Sequence, residues 1–357
     1  MESSSSQCRE DRARAFFILS GEHQSIPAAE VRAILEAELG AEGEAWRLVD
    51  EGPYYVVVEA PLRACVRLVD RASMVMEGCL ELASSIANVE EASKAARDLD
   101  WSWLDGASFA VRVVSKGRER GAASSPELER AIGAVIKESC PSAKVSLKAP
   151  SKVIRGLVVG RRLLIGVKVA EARRGRFEER RPKKRPFFHP SALEPKLSRL
   201  YVNLSRARGG DVLLDPFSGT GGILIEASLI GCTPLGVDLD PAMARGALIN
   251  AKAFGVQAHT VLGDARRLPV RSADCIATDL PYGRASSTHG LRRSELLEGF
   301  LASAAEVLKR GRYMCLGSSS EIDVEGPSLR AGFEVVERHD IRVHRSLVRR
   351  IVVLRSP

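Results

Sequence analysis

Residues 211–240 read DVLLDPFSGTGGILIEASLIGCTPLGVDLD, and this stretch decides the fold class of the C-terminal half. A short apolar run ends at Asp215, a turn carrying Gly219, Gly221 and Gly222 follows, then an apolar helical segment, then a second apolar run ending at Asp238. Strand, glycine turn, helix and strand in that order predict a right-handed crossover between parallel strands. The alternation continues downstream. PAMARGALINAKAFG (241–255) predicts a helix, LGDARRLP (262–269) carries a third strand-end acid at Asp264, and DCIATD (274–279) reads as a buried strand ending at Asp279. From residue 187 onward the expected fold is α/β, a Rossmann-like sheet of parallel strands with helices on both faces.

Ligands of such sheets bind outside the carboxyl ends of the strands, where the strand order reverses, so the strand-end acids are the candidate binding residues. A dinucleotide fingerprint needs a third glycine three positions after Gly221, and Leu224 stands there instead. No G-K-[ST] follows the glycines, which removes the P-loop reading. A carboxylate at Asp215 would repel a pyrophosphate but attract an ammonium, and Asp238 is placed to receive a ribose diol. S-adenosylmethionine carries both of those groups and no phosphate.

Asp279 opens the run DLPYG (279–283), over the same crevice. The exocyclic amine of a nucleobase is a poor nucleophile because its lone pair is delocalised into the ring. The Asp279 carboxylate and the Leu280 carbonyl could accept its two hydrogens and leave the lone pair aimed at a sulfonium methyl, with Asp279 taking the released proton. Pro281 would stiffen the turn, and Tyr282 would stack on a base drawn out of its helix. Alone, the tetrapeptide is an ordinary strand exit; joined to DPFSGTGG, Asp238 and Asp264 in order, it is read as a catalytic element.

The chain of 357 residues is long enough for two domains, and its 53 Lys and Arg against 45 Asp and Glu give a formal charge of +8. That balance suits a polyanionic partner but also an ordinary solvated surface. No run approaches the roughly 18 apolar residues of a membrane span, and MESSSSQCREDRARA (1–15) is too polar for a signal peptide, so a cytoplasmic protein is expected. The seven cysteines form no C-x-x-C pair and the six histidines no H-E-x-x-H, so neither a disulfide framework nor a metal is expected.

Toward the N-terminus, residues 1–10 are expected to be a disordered tail. RAFFILS (14–20) and YYVVVEA (54–60) predict strands, IPAAEVRAILEAEL (26–39) a helix, and residues 61–84 further helix, forming an α+β subdomain over 11–100. A second α+β domain over 101–170 has FAVRVVS (109–115) as a strand, SPELERAIGAVIKES (125–139) as a helix capped by Ser125, and LVVGRRLLIGVKVA (157–170) as two strands meeting near Gly160. Residues 171–186 hold eight arginines and lysines against three glutamates and read as an exposed linker. Arg180, Arg181, Lys183, Lys184 and Arg185 are its candidate RNA-phosphate contacts.

The motifs DPFSGTGG, GVDLD, GDA and DLPYG, with RPFFHPSALEPKLSRLYVNLS upstream and VHRSLVRRIVVL near the end, resemble the archaeal tRNA guanine methyltransferases that modify the exocyclic amine at position ten. Residues 109–170, including KVSLKAPSKVIRGLVVGRRLLIGVKVA (144–170), are similar to a THUMP domain, and residues 10–100 to the subdomain that precedes it. The resemblance implies an S-adenosylmethionine-dependent methyltransferase sheet joined to a THUMP-containing region that grips the acceptor end of tRNA. It implies that Asp215, Phe217, Gly219 and Gly221 hold the methionine end, Asp238 the ribose, and Asp264 with Ala265 the adenine edge, and that His189, Pro190 and Ser191 close over the methionine part. Asp279, Leu280, Pro281 and Tyr282 match the family's D/N-P-P-Y element with a departure at Leu280, whose role is expected to fall on its carbonyl. A monomer acting without an activating subunit is expected. Methylation of adenine N6 in DNA, and an RNA-binding protein with an inert methyltransferase fold, are the alternatives.

Overall fold

The computed structural model describes residues 12–40, 43–281, 293–344 and 347–357. The chain divides into two compact units, Met1–Ala28 with Glu44–Asp70 and Val75–Ala172, and Ala29–Gly43 with Arg71–Met74 and Arg173–Pro357. The tail expected over 1–10 lies outside the described residues. Among the described residues no helix is long and apolar enough to cross a membrane.

The first unit is built on β1 (Arg12–Leu19), β2 (Arg47–Gly52), β3 (Tyr55–Pro61), β4 (Val75–Ile86), β5 (Ser108–Arg118), β6 (Lys144–Val145), β7 (Lys152–Gly160) and β8 (Arg162–Glu171). They form one sheet in the order β2-β3-β1-β4-β8-β7-β5-β6. The helix expected over 61–84 survives only as α2 (Leu62–Arg71), which follows α1 (Ile26–Gly40) in the chain. From Val75 onward the backbone pairs antiparallel with β1 on one side and β8 on the other, and this two-sided ladder overrides the helical propensity of its Met, Leu, Ala and Glu residues. Next come α3 (Val89–Arg97) and α4 (Ser125–Ser139). The cap of α4 is Ser124, not Ser125, because the Ser124 N–H and hydroxyl both reach Glu127 in a capping box. Trp101, Phe109, Leu128, Ile132, Ile154 and Ile165 form part of a core between α3, α4 and the sheet.

The second unit contains α5 (Pro195–Leu204), β9 (Val212–Asp215), α6 (Gly222–Leu229), β10 (Thr233–Asp238), α7 (Pro241–Ala253), β11 (His259–Leu262) and β12 (Cys275–Asp279). α8 (Arg293–Val307), β13 (Tyr313–Ser319), α9 (Glu325–Arg330), β14 (Glu334–His344) and β15 (Leu347–Arg355) complete it. The strand order is β11-β10-β9-β12-β13-β15-β14. β11 to β13 are parallel to their neighbours in this order, and β15 runs antiparallel to both β13 and β14. The chain moves outward from β9 to β11, then returns to the other side of β9 as β12, so the order reverses between β9 and β12. Leu214, Val237, Ile276, Met314 and Leu316 from the strands pack with Leu297, Phe300 and Leu301 of α8, each fully buried leucine or phenylalanine contributing about 1.5–3 kcal/mol.

Residues from far upstream complete this unit. Glu30 of α1 is fully buried and accepts the Ser73 N–H and hydroxyl, the Met74 N–H and the Asn203 amide, at 2.7 to 2.8 Å. Arg71 donates to Asn203 Oδ1 at 3.0 Å and to Glu38 at 2.7 Å, and Arg206 donates to Glu36 at 2.9 Å. A buried carboxylate satisfied by four donors is stable where an unpaired one would not be.

Candidate active site

β9 ends at Asp215, which is 2% exposed. Its Oδ1 accepts the Thr278 hydroxyl at 2.6 Å and the Phe217 N–H at 3.2 Å. Burial pushes this carboxyl up to about 7, and Asp238 and Asp279 push in the same direction while the two hydrogen bonds oppose them. The pairing of Asp215 with Gly236 and its bond to Thr278 set the ends of β10, β9 and β12 side by side, at the reversal of strand order.

The glycine turn divides its work. Gly219 has φ 48°, and a Cβ there would meet nothing nearer than the Phe217 carbonyl at 3.9 Å. Gly221, at φ 79°, would drive a Cβ to 2.9 Å from that of Ala247 on α7. Gly219 therefore leaves open space and Gly221 allows close helix packing. The Gly219 N–H reaches Asp238 Oδ2 at 2.8 Å, and the Asp240 N–H reaches Oδ1 at 2.9 Å, so Asp238 orders the turn. Inside the turn the buried Ser218 hydroxyl oxygen has no hydrogen-bond partner among the described residues. The Phe217 ring packs edge-on against Phe300, with centroids 5.3 Å apart.

Asp264 lies two residues beyond β11 rather than at its last position. Its carboxylate caps a short 3₁₀ turn through the Arg266 N–H at 2.9 Å and holds the Arg266 guanidinium at 2.6 Å, which keeps it below the usual carboxylate range. Ala265 is buried in the core.

At the end of β12, the Leu280 N–H donates to the Gly317 carbonyl at 2.9 Å and the Leu280 side chain is turned into the core. Asp279 Oδ1 accepts the Tyr201 hydroxyl at 3.2 Å, and Oδ2 lies 3.5 Å from Arg349 Nη2. Pro281 is half-buried and is the last described residue of its stretch. Tyr282 lies outside the described residues.

The basic segment before this sheet is exposed over most of its length, but not at every position its composition suggests. Pro182 and Arg185 are buried. Arg180 donates to Glu226 at 2.7 Å, and Arg199 meets the same carboxylate at 2.9 Å. Arg185 donates to the Thr220 hydroxyl and the Leu193 carbonyl, both at 3.2 Å, and burial holds it below the usual arginine range. Asn250 takes the Phe187 N–H and donates to the carbonyls of Phe187 and Thr220, each at 2.9 Å. These bonds fasten 180–193 to the glycine turn. The correction has a physical cause: α6 is apolar and carries the 1% exposed Glu226, whose charge is met by Arg180 of this segment and Arg199 of α5. Arg181, Lys183 and Lys184 remain exposed. In the following turn His189 Nδ1 lies 2.7 Å from the Ser191 hydroxyl, while Pro190 and Ser191 are exposed.

Comparison with known proteins gives this geometry a family. Residues 182–351 match an RMKL-like methyltransferase domain, and residues 87–168 match the THUMP domain. The tRNA (guanine(10)-N2)-dimethyltransferase of Methanothermobacter thermautotrophicus is 37% identical over 94% of this chain and 98% of its own. The chain belongs to the tRNA (guanine(10)-N2)-dimethyltransferase family. The protein of the same name from Pyrococcus abyssi is 34% identical over 92% of this chain and 95% of its own. The crystal structure of TrmN from Thermus thermophilus superposes with a TM-score of 0.54 at 25% identity, covering 96% of this chain and all of that one.

Within this family member, Tyr201, Gly317 and Arg349 surround Asp279 without having been singled out in the sequence. Tyr201 sits in α5, Gly317 in β13 and Arg349 in β15. Both long side chains lie inside stretches quoted for the family resemblance, but no local pattern marks them. Among the described residues no group of His, Cys, Asp and Glu could hold a metal ion. The six described cysteines are buried free thiols.

Proposed function

We propose that this chain transfers methyl groups from S-adenosylmethionine to the exocyclic N2 amine of the guanine at position ten of tRNA, adding one and then a second. The observation that carries the reading is the row of acids on the neighbouring strands β10, β9 and β12: Asp215 pairs with Gly236, two residues before Asp238, and accepts the hydroxyl of Thr278, the residue before Asp279. The surroundings suit the donor molecule: open space beside Gly219, an unmatched buried Ser218 hydroxyl, and carboxylates where an ammonium and a ribose diol need acceptors. S-adenosylmethionine supplies a methyl group on a positively charged sulfur, which is left as a neutral thioether.

In this reading Asp215, Phe217, Gly219 and Gly221 hold the methionine end, Asp238 the ribose, Asp264 and Ala265 the adenine edge, and His189, Pro190 and Ser191 close over the methionine part. Asp279 and the Leu280 carbonyl accept the two amine hydrogens, which directs the nitrogen lone pair toward the methyl carbon. The proton shed by the nitrogen passes to Asp279. Burial of the Leu280 side chain fits a role through its carbonyl. Pro281 stiffens the turn and Tyr282 stacks on the base.

The THUMP domain grips the acceptor end of the tRNA and selects the distant guanine by geometry. Arg181, Lys183 and Lys184 add phosphate contacts. The protein works as a monomer in the cytoplasm, without an activating subunit. Membership of a tRNA-modifying family with a THUMP domain disfavours the duplex-DNA and inert readings.

The test is transfer of labelled methyl from S-adenosylmethionine to tRNA by purified protein, followed by mass spectrometry of the nucleosides. N2-methylated and N2,N2-dimethylated guanosine at position ten are expected, and Asp279→Ala is expected to abolish both. Label appearing in duplex DNA instead, or full activity in Asp279→Ala, would contradict the reading.

A further inference from the structure

Asp279 is held from three sides by elements far apart in the chain. Tyr201 of α5 is wholly buried, and its hydroxyl hydrogen bond goes to Asp279 Oδ1. A buried tyrosine needs a partner for its hydroxyl, and a backbone carbonyl would serve; here the acceptor is the carboxylate read as the receiver of the nucleobase amine. Arg349, on β15, points its guanidinium at the other oxygen. Gly317 lies directly across from Asp279 in the β12–β13 ladder. A Cβ at Gly317 would overlap both the Tyr201 hydroxyl and the Asp279 carboxylate. The space for this arrangement therefore exists only because residue 317 has no side chain.

We infer that Tyr201 and Arg349 are positioning residues for methyl transfer, fixing both oxygens of Asp279 in one orientation through the space that Gly317 leaves. The inference rests on the role proposed for Asp279. A carboxylate turning freely about its side-chain bonds would offer the amine a changing set of acceptors. A hydroxyl on one oxygen and a guanidinium beside the other hold the carboxylate plane in one orientation, and a fixed acceptor is what the alignment of an in-line attack requires.

The test compares Tyr201→Phe, Gly317→Ala, Arg349→Gln and Arg349→Lys with wild type and Asp279→Ala, measuring single-turnover methyl transfer, affinity for S-adenosylmethionine, KM for tRNA and thermal melting. Tyr201→Phe removes one oxygen and keeps the ring, so it is expected to fold and to transfer methyl about ten-fold more slowly, with both affinities within about two-fold of wild type. Gly317→Ala should reproduce that loss although it removes no polar group, and Arg349→Lys should recover most of what Arg349→Gln loses. If Gly317→Ala does not fold, Tyr201→Phe alone decides. A wild-type rate in Tyr201→Phe, or a loss shared equally among rate, both affinities and melting temperature, would overturn the positioning role while leaving the proposed function intact. Wild-type activity in Asp279→Ala, or no transfer by the wild type, would sink both.

Discussion

Thr278 donates its hydroxyl hydrogen to Asp215 at 2.6 Å, one residue before Asp279 in the same strand. The bond ties the ends of β9 and β12 together at the reversal of strand order. Valine at 278 would keep the shape and remove the donor from a buried carboxylate, a loss of about 1–3 kcal/mol. Thr278→Val is expected to unfold at a correspondingly lower urea midpoint and to bind S-adenosylmethionine more weakly at neutral pH, as measured by denaturation and calorimetry.

Asp215 gives the protein a pH signature. Its folded-state value of about 7 stands above the ordinary 3.8, so the folded chain keeps a proton that the unfolded chain releases across that interval. The stability contribution of this group is full below the lower value, falls as pH rises through the interval, and levels off above about 7. An ammonium beside Asp215 favours the ionised form, so affinity for S-adenosylmethionine should run the other way, rising roughly five-fold between pH 6 and pH 7 with proton release. Calorimetric titration in two buffers of different ionisation heat checks both the rise and the proton. A pH-independent affinity would remove Asp215 from the ammonium site.

The two glycines of the turn should fail differently. Gly221→Ala places a side chain at positive φ and against Ala247, so about 1–3 kcal/mol of strain is expected, seen as a lower melting temperature. Gly219→Ala carries the positive-φ strain as well, at φ 48°, but meets no neighbour, so it should add weaker binding of S-adenosylmethionine to a smaller loss of stability. Thermal melts with and without the ligand separate the two effects.

The basic segment should also divide. Replacing exposed Arg181, Lys183 and Lys184 by alanine is expected to lower the salt slope of tRNA binding by roughly one for each phosphate that is no longer neutralised, at unchanged stability. Arg180→Ala leaves the buried Glu226 with Arg199 alone and should destabilise the fold, with about 3–5 kcal/mol as the upper range for breaking a buried pair. Filter binding over a salt series, beside urea denaturation, distinguishes a nucleic-acid contact from a structural ion pair.

The strand-end acids were legible because parallel strands covered on both faces are continuous apolar runs, so a single aspartate marks where each emerges. The central strand β4 was not, since Val75–Ile86 takes its conformation from ladders to residues 12–19 and 162–171, which a local window does not contain. Arg180 and Arg185 misled for a related reason: a run of cations reads as solvated unless its buried partners, Glu226 for Arg180 and Thr220 for Arg185, are known. Tyr201 and Arg349 carry no motif of their own, and only the folded sheet brings them to Asp279. Leu280, a departure from the family's D/N-P-P-Y element, becomes understandable once its side chain is seen in the core.

The carboxylate of Glu30 has a practical corollary. Four hydrogen-bond donors from Ser73, Met74 and Asn203 meet it, and Asn203 belongs to the helix that also supplies Tyr201. An expression fragment starting at residue 173 or 187 would remove the Glu30 and Arg71 partners of Asn203 and the Glu36 partner of Arg206. Residues 29–43 and 71–74 belong to the same compact unit as 173–357, so domain-swap chimaeras should keep them together.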